Sequence, residues 1–167
     1  MNSDAPVEKK NEFLAPVLSG QHFGSFGLTE PNAGSDAGGC VTVAEKDGDE
    51  YILNGMKCFN TNGPLADYTA VYALTEPEKK AKGLSCFVVK KGTPGFSVGK
   101  VEDKMGIRSA QVSEMILENV RVPAENMIVP SGDGFKLAMK TLDGGRIGVA
   151  AQGLGIAEGA FEIAKEY

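Results

Sequence analysis

Tryptophan is missing from the 167 residues, histidine occurs once, and cysteine only three times. The lone His22 has no second imidazole with which to share a metal, which excludes a multi-histidine zinc site and disfavours a catalytic triad. Cys40, Cys58 and Cys86 are odd in number and too far apart for any metal-knuckle spacing, so they read as reduced, small apolar side chains. Basic residues are outnumbered 17 to 22, and a net charge of −5 offers no cationic face for nucleic acid phosphates. No apolar run has the length of a bilayer span, and Met1 to Pro6 lacks the basic and apolar regions of a signal peptide. The expectation is a soluble, intracellular protein with neither nucleic acid nor membrane as partner. What is present, 42% hydrophobic and 23% charged residues, is the composition of a globular chain long enough for one cored domain and part of another.

Val7 to Ser19 carries charge first and then Phe13, Leu14, Val17 and Leu18, with Pro16 limiting how far a helix can run. It reads as the tail of a helix. From Gln21 the pattern changes to short apolar or alternating runs: Phe23 to Leu28, Val41 to Glu45, Tyr51 to Leu53, Tyr68 to Leu74, Leu84 to Val89, Phe96 to Val101 and Glu114 to Val122. Asp47-Gly48-Asp49, Asn54-Gly55, Asn62-Gly63-Pro64 and Gly92-Thr93-Pro94-Gly95 read as the turns between them. Strands at this spacing predict a mainly β fold, an antiparallel barrel or sandwich. From Phe135 to Lys165 there is no proline, and apolar residues cover nearly every face of the predicted helix. Such a helix belongs inside a bundle, and its Gly148, Gly153, Gly155 and Gly159 suit close backbone packing. The chain therefore reads as a piece in three parts: residues 1–20, the end of a helical domain; 21–130, a β domain; and 131–167, the first helix of an α domain. Self-association of this chain is the other way to cover the same helix.

The stretch from Gly27 to Gly39 organises the candidate chemistry. It leaves an apolar run, passes Thr29 and Glu30, and enters a loop with glycines at 34, 38 and 39 around Ser35 and Asp36, which lets backbone amides approach a ligand. The glycines at 153, 155 and 159 do not make a dinucleotide fingerprint, because the third is one position late and the segment lies within a helix. Asp143 and Arg146 stand about one turn apart, either as a plain helical ion pair or as charges facing a polar ligand or a neighbouring chain.

Taken together, these segments resemble one family. Gly27 to Gly39 is similar to the first signature of the acyl-CoA dehydrogenases, Tyr51 to Gly63 to their next block, and Lys104 to Ser109 to the one after. Val120-Arg121-Val122-Pro123 with Asn126 resembles the strand that closes their β domain, and Thr141 to Gln152 the opening helix of their C-terminal domain, especially in short-chain, butyryl-CoA type members.

The resemblance implies a flavoprotein with FAD held between a helical N-terminal, a middle β and a C-terminal four-helix domain, in a homotetramer or homodimer of the bacterial cytoplasm or mitochondrial matrix. It implies that Leu28 and Thr29 meet the pyrimidine end of the flavin with Phe26 nearby, that Thr61 bonds near flavin N5, and that Phe59 lies on the ring with Asn60 between. Ser35 would line the pantetheine path, and Asp143 and Arg146 would lie toward the thioester. The implied reaction is oxidation of a short-chain acyl-CoA to the trans-2-enoyl-CoA. A carboxylate takes the Cα proton, hydride passes from Cβ to flavin N5, and electrons go on to an electron-transferring flavoprotein. Many members have tryptophan where this chain has Phe59, and some have the catalytic glutamate where it has Gly145. The expectation is accordingly no catalytic residue in this chain, with the base glutamate beyond Tyr167 and the piece by itself inactive. A non-catalytic β module for flavin, acyl-CoA or a protein partner, and an oxidase or nitroalkane-type flavoenzyme on the same fold, are the alternative readings.

Overall fold

The computed structural model describes residues 7–167 and divides into two units, one reaching Phe135 and the other running from Lys136 to Tyr167. In the first unit, α1 (Val7–Lys9) passes through a π turn at Lys10–Leu14 into α2 (Ala15–Leu18). The π turn answers Pro16. A proline lacks an N–H and crowds the preceding turn, and the helix widens just before it, so that the Ala15 amide reaches back to the Lys10 carbonyl. The helix thus continues past the proline to Leu18 and does not stop at it.

Eight strands follow: β1 (Gly24–Gly27), β2 (Val43–Asp47), β3 (Glu50–Thr61), β4 (Tyr68–Leu74), β5 (Leu84–Lys90), β6 (Phe96–Val101), β7 (Val112–Pro123) and β8 (Met127–Val129). They form one sheet in the order β6-β7-β3-β2-β4-β5-β8, with β1 lying beside the first half of β4. The mainly β expectation holds, but the sheet is not closed into a barrel, and β1 and β2 both run parallel to β4. Parallel pairing arises because the long stretch from Leu28 to Thr42 carries the chain across between β1 and β2, where a hairpin would have reversed it.

One face of the sheet buries Ala44, Leu53, Val71, Ala73, Phe87, Val89, Leu117, Val120 and Val122. The opposite face of β4 carries Tyr68 and Tyr72. Phe13 stands edge-on to Tyr68 at 5.2 Å between ring centroids, and Phe26 tilts over Tyr72 at 5.3 Å. With both faces covered, every residue from Leu84 to Val89 in β5 is buried, which is why that strand reads as an unbroken run and not as an alternation.

Asn54-Gly55 was expected to be a turn; it lies inside β3. Asn54 Oδ1 accepts the Asn119 amide of β7 at 2.7 Å, so this asparagine serves a strand pair and not a hairpin tip. Two irregularities interrupt the β3–β7 ladder, and they have opposite sense. Between Leu53 and Gly55 the extra residue is on β7, with Asn119 at φ 53°; between Lys57 and Asn60 it is on β3, with Phe59 at φ 56°. Pairing therefore resumes in its original phase at Asn60 opposite Ser113. Strand β8 follows Pro123 too closely, and is too short, to show a period of its own.

The second unit consists of most of α3 (Gly134–Glu166), close to the expected helix at Phe135 to Lys165. From Asp143 onward its residues are exposed, Ile147, Leu154, Ile156, Phe161 and Ile163 among them. Among the described residues no helix is long and apolar enough to cross a membrane.

Candidate functional site

The Phe59 bulge of β3 and the segment that leaves β1 meet edge to edge. The Cys58 amide donates to the Thr29 carbonyl at 2.8 Å, and the Ser25 hydroxyl donates to the Thr61 carbonyl, also at 2.8 Å. These two bonds bring Leu28 and Thr29 beside Phe59, Asn60 and Thr61, although some thirty residues separate them along the chain. The Ser25 bond is accessible to a simple test. Ser25→Ala removes one neutral donor at a part-exposed place, and we expect a loss of about 1 kcal/mol in urea unfolding with the fold retained.

The side chains at this junction differ sharply in burial. Phe59 takes a left-handed backbone and leaves 66% of itself exposed, which an aromatic residue does only when the surrounding strands force it. Thr61 is exposed and Thr29 half-buried, while Leu28 is buried. Phe26 is half-buried against Tyr72. Asn60 turns inward instead: its Nδ2 donates to the Ser113 carbonyl at 3.0 Å, and the whole residue is buried. Gly27 suits its position, since a Cβ there would stand 3.3 Å from Asn60 Oδ1 and 3.4 Å from the Ala70 carbonyl.

Ser35 lies on the exposed part of the same loop. Asp143 and Arg146 belong to the second unit, where they pair with each other as an exposed i, i+3 ion pair on α3.

Beneath the junction sits a group that sequence reasoning passed over. Lys57 Nζ and Glu30 Oε1 form an ion pair at 2.6 Å, with side-chain exposures of 0% and 2%. Glu30 Oε1 also accepts the Cys40 thiol at 2.8 Å and the Thr42 amide at 3.1 Å, and Oε2 accepts the Val41 amide at 2.7 Å. Burial alone would raise the Glu30 carboxyl; the Lys57 charge and the bonds from Cys40, Lys57 and Thr42 outweigh it and bring the group down to about 2. Burial pushes the Cys40 thiol up to about 11, leaving it a weak donor and not a nucleophile. One signal was available. Counting by twos from Leu53 reaches Lys57, so a lysine shares the phase of an apolar inward residue of β3 and requires a buried partner.

Comparison with known proteins points one way. Residues 25–120 match the model of the acyl-CoA dehydrogenase middle domain, and residues 132–167 that of the acyl-CoA dehydrogenase C-terminal domain. A short-chain specific acyl-CoA dehydrogenase of Clostridium acetobutylicum is 52% identical over 167 residues, which is the whole of this chain and 44% of that protein. The solved butyryl-CoA dehydrogenase of Megasphaera elsdenii superimposes with a TM-score of 0.93 at 54% identity, covering 97% of this chain and 43% of that one. A glutaryl-CoA dehydrogenase of Mycobacterium smegmatis, solved in complex with FADH2, superimposes at 0.71 with 39% identity over 78% of this chain and 32% of its own. The chain thus spans less than half the length of the relatives it matches.

Proposed function

Because this chain belongs to the acyl-CoA dehydrogenase family, we propose that it forms the middle β domain and adjoining helices of a flavoenzyme that oxidises short-chain acyl-CoA thioesters to trans-2-enoyl-CoA. The observation that carries this reading is the Cys58–Thr29 bond, which sets the two family motifs side by side. The residues present there fit a flavin. An exposed aromatic plate at Phe59, flanked by the hydroxyls of Thr29 and Thr61, offers the apolar surface and the donors that an isoalloxazine takes.

In this reading Leu28 and Thr29 bind the pyrimidine end of FAD through their main chain and the Thr29 hydroxyl, and Phe26 backs them. Phe59 covers the ring and Thr61 bonds near flavin N5, with the buried Asn60 between them holding the strand through its bond to Ser113. Ser35 lines the pantetheine path, and Asp143 and Arg146 face the thioester once the enzyme is assembled as a homodimer or homotetramer. Bound FAD would supply the acceptor for the hydride that leaves Cβ of the substrate. No residue of this chain is assigned the removal of the Cα proton, and Gly145 offers no carboxylate at the place where some members carry one. The onward electron acceptor is an electron-transferring flavoprotein.

The test uses the protein at its natural length. Anaerobic addition of butyryl-CoA should bleach the flavin absorbance with formation of one enoyl-CoA per flavin. A flavin left oxidised by butyryl-CoA overturns the reading, and a reduced flavin that reacts rapidly with oxygen and ignores electron-transferring flavoprotein turns it into an oxidase.

A further inference from the structure

A buried ion pair is a poor means of stabilising a fold. Two charges lose their hydration, and apolar side chains of similar volume commonly serve as well. Stability therefore does not account for Lys57 and Glu30 at 2.6 Å in the core. Direction does. Lys57 Nζ also lies 3.4 Å from the Leu28 carbonyl and 3.4 Å from Cys40 Sγ, and the very next residue, Cys58, donates to Thr29. The Glu30 carboxylate in turn holds Cys40, Val41 and Thr42. Both ends of the loop, 28–30 and 40–42, are drawn to one point on β3, while Pro31, Asn32 and Gly34 to Asp36 between them stay exposed. Apolar contacts are non-directional and could not fix this height.

We infer that Glu30 and Lys57 are positioning residues, which hold Leu28 and Thr29 at a set depth against the Phe59 bulge so that the loop meets the flavin in register. The inference rests on the flavin reading above. The pair touches only protein; it acts through Leu28, Thr29 and Cys58.

The experiment compares Lys57→Met with the double variant Glu30→Gln/Lys57→Met in the protein at its natural length. Four quantities are read: the thermal midpoint, the Kd for FAD, the visible spectrum of the bound flavin, and hydrogen exchange at the Cys58 amide. Lys57→Met leaves a carboxylate buried without its cation, so the midpoint falls; the double variant removes that charge and recovers most of it. FAD binding should weaken roughly tenfold or more in both variants, with an altered flavin spectrum and faster exchange at Cys58, because the lysine bond to the loop is lost in each. Recovery of the spectrum and affinity together with the midpoint in the double variant overturns the inference. So does a folded Lys57→Met protein with unchanged flavin properties. Should Lys57→Met not fold, Glu30→Gln is read by the same flavin spectrum and exchange. If the unsubstituted protein takes no FAD, the flavin reading fails alone, and Cys58 exchange still decides: slow exchange persisting in the variant removes the role of the pair.

Discussion

Gly83→Ala should be among the most damaging single-methyl additions in the β unit, costing about 3 kcal/mol or more in urea unfolding. Gly83 ends the connection between β4 and β5, and a Cβ there would stand 1.9 Å from the Glu76 carbonyl oxygen and 2.7 Å from its carbon. The obstacle is backbone, which cannot rotate aside. The Gly83 carbonyl also accepts the Thr75 amide at 3.0 Å, so relief by moving this residue breaks the turn that sets β4 against β5. Gly48→Ala, at the β2–β3 tip, is the appropriate comparison. Its φ is +60° and nothing lies within 4 Å, so the cost there is the left-handed penalty alone, about 1 kcal/mol. Equal losses in the two variants would mean that the close approach at Gly83 relaxes freely.

Glu30→Ala is expected to cost about 3–5 kcal/mol at neutral pH, because it leaves the Lys57 ammonium buried with no counter-charge and the Val41 and Thr42 amides without their acceptor. The same carboxylate makes the protein acid-sensitive in a defined window. Its folded value of about 2 lies below its ordinary 4.5, so its contribution is complete above the ordinary value and is lost as pH falls from there through the folded value. Unfolding free energy measured from pH 6 down to 2 should decline across that interval in the unsubstituted protein, and Glu30→Ala should lack this component of the decline. Parallel curves for the two proteins would show that Glu30 titrates alike in the folded and unfolded states.

How much of this was legible in the sequence depended on whether the cause was local. Tyr68 to Leu74, Phe96 to Val101 and the last helix could be read from their own residues, and the structure places them within a residue or so of those bounds. Asn54-Gly55 could not. Asparagine-glycine favours a turn locally, but Asn54 is claimed by Asn119 from β7, and Gly55 is required because Thr42 fills the space a Cβ would take. Closure of the sheet was equally out of reach, since it depends on whether β6 and β8 meet, which no single strand encodes. At the site, the motif residues at the loop and at the bulge were legible by resemblance, and their contact is supplied by the Cys58–Thr29 bond. Glu30 and Lys57 stood inside the same motifs and went unassigned, because the inward phase of Lys57 asks for a buried partner without naming it, and only the fold brings Glu30 opposite across 27 positions.

The opposed bulges of the β3–β7 ladder have a consequence for how such a chain can drift in length. Each is one extra residue held out of the ladder, Asn119 on β7 and Phe59 on β3, with regular rungs on both sides. Each bulge residue is the unpaired one, so loss of either alone would leave Leu53 opposite Val120, Gly55 opposite Leu117, Lys57 opposite Met115 and Asn60 opposite Ser113, and would turn that bulge into plain ladder. Loss of both would restore a plain ladder, with the exposed ring gone. The two bulges can thus be lost independently of one another, and the sheet itself would tolerate a descendant that had shed its aromatic plate.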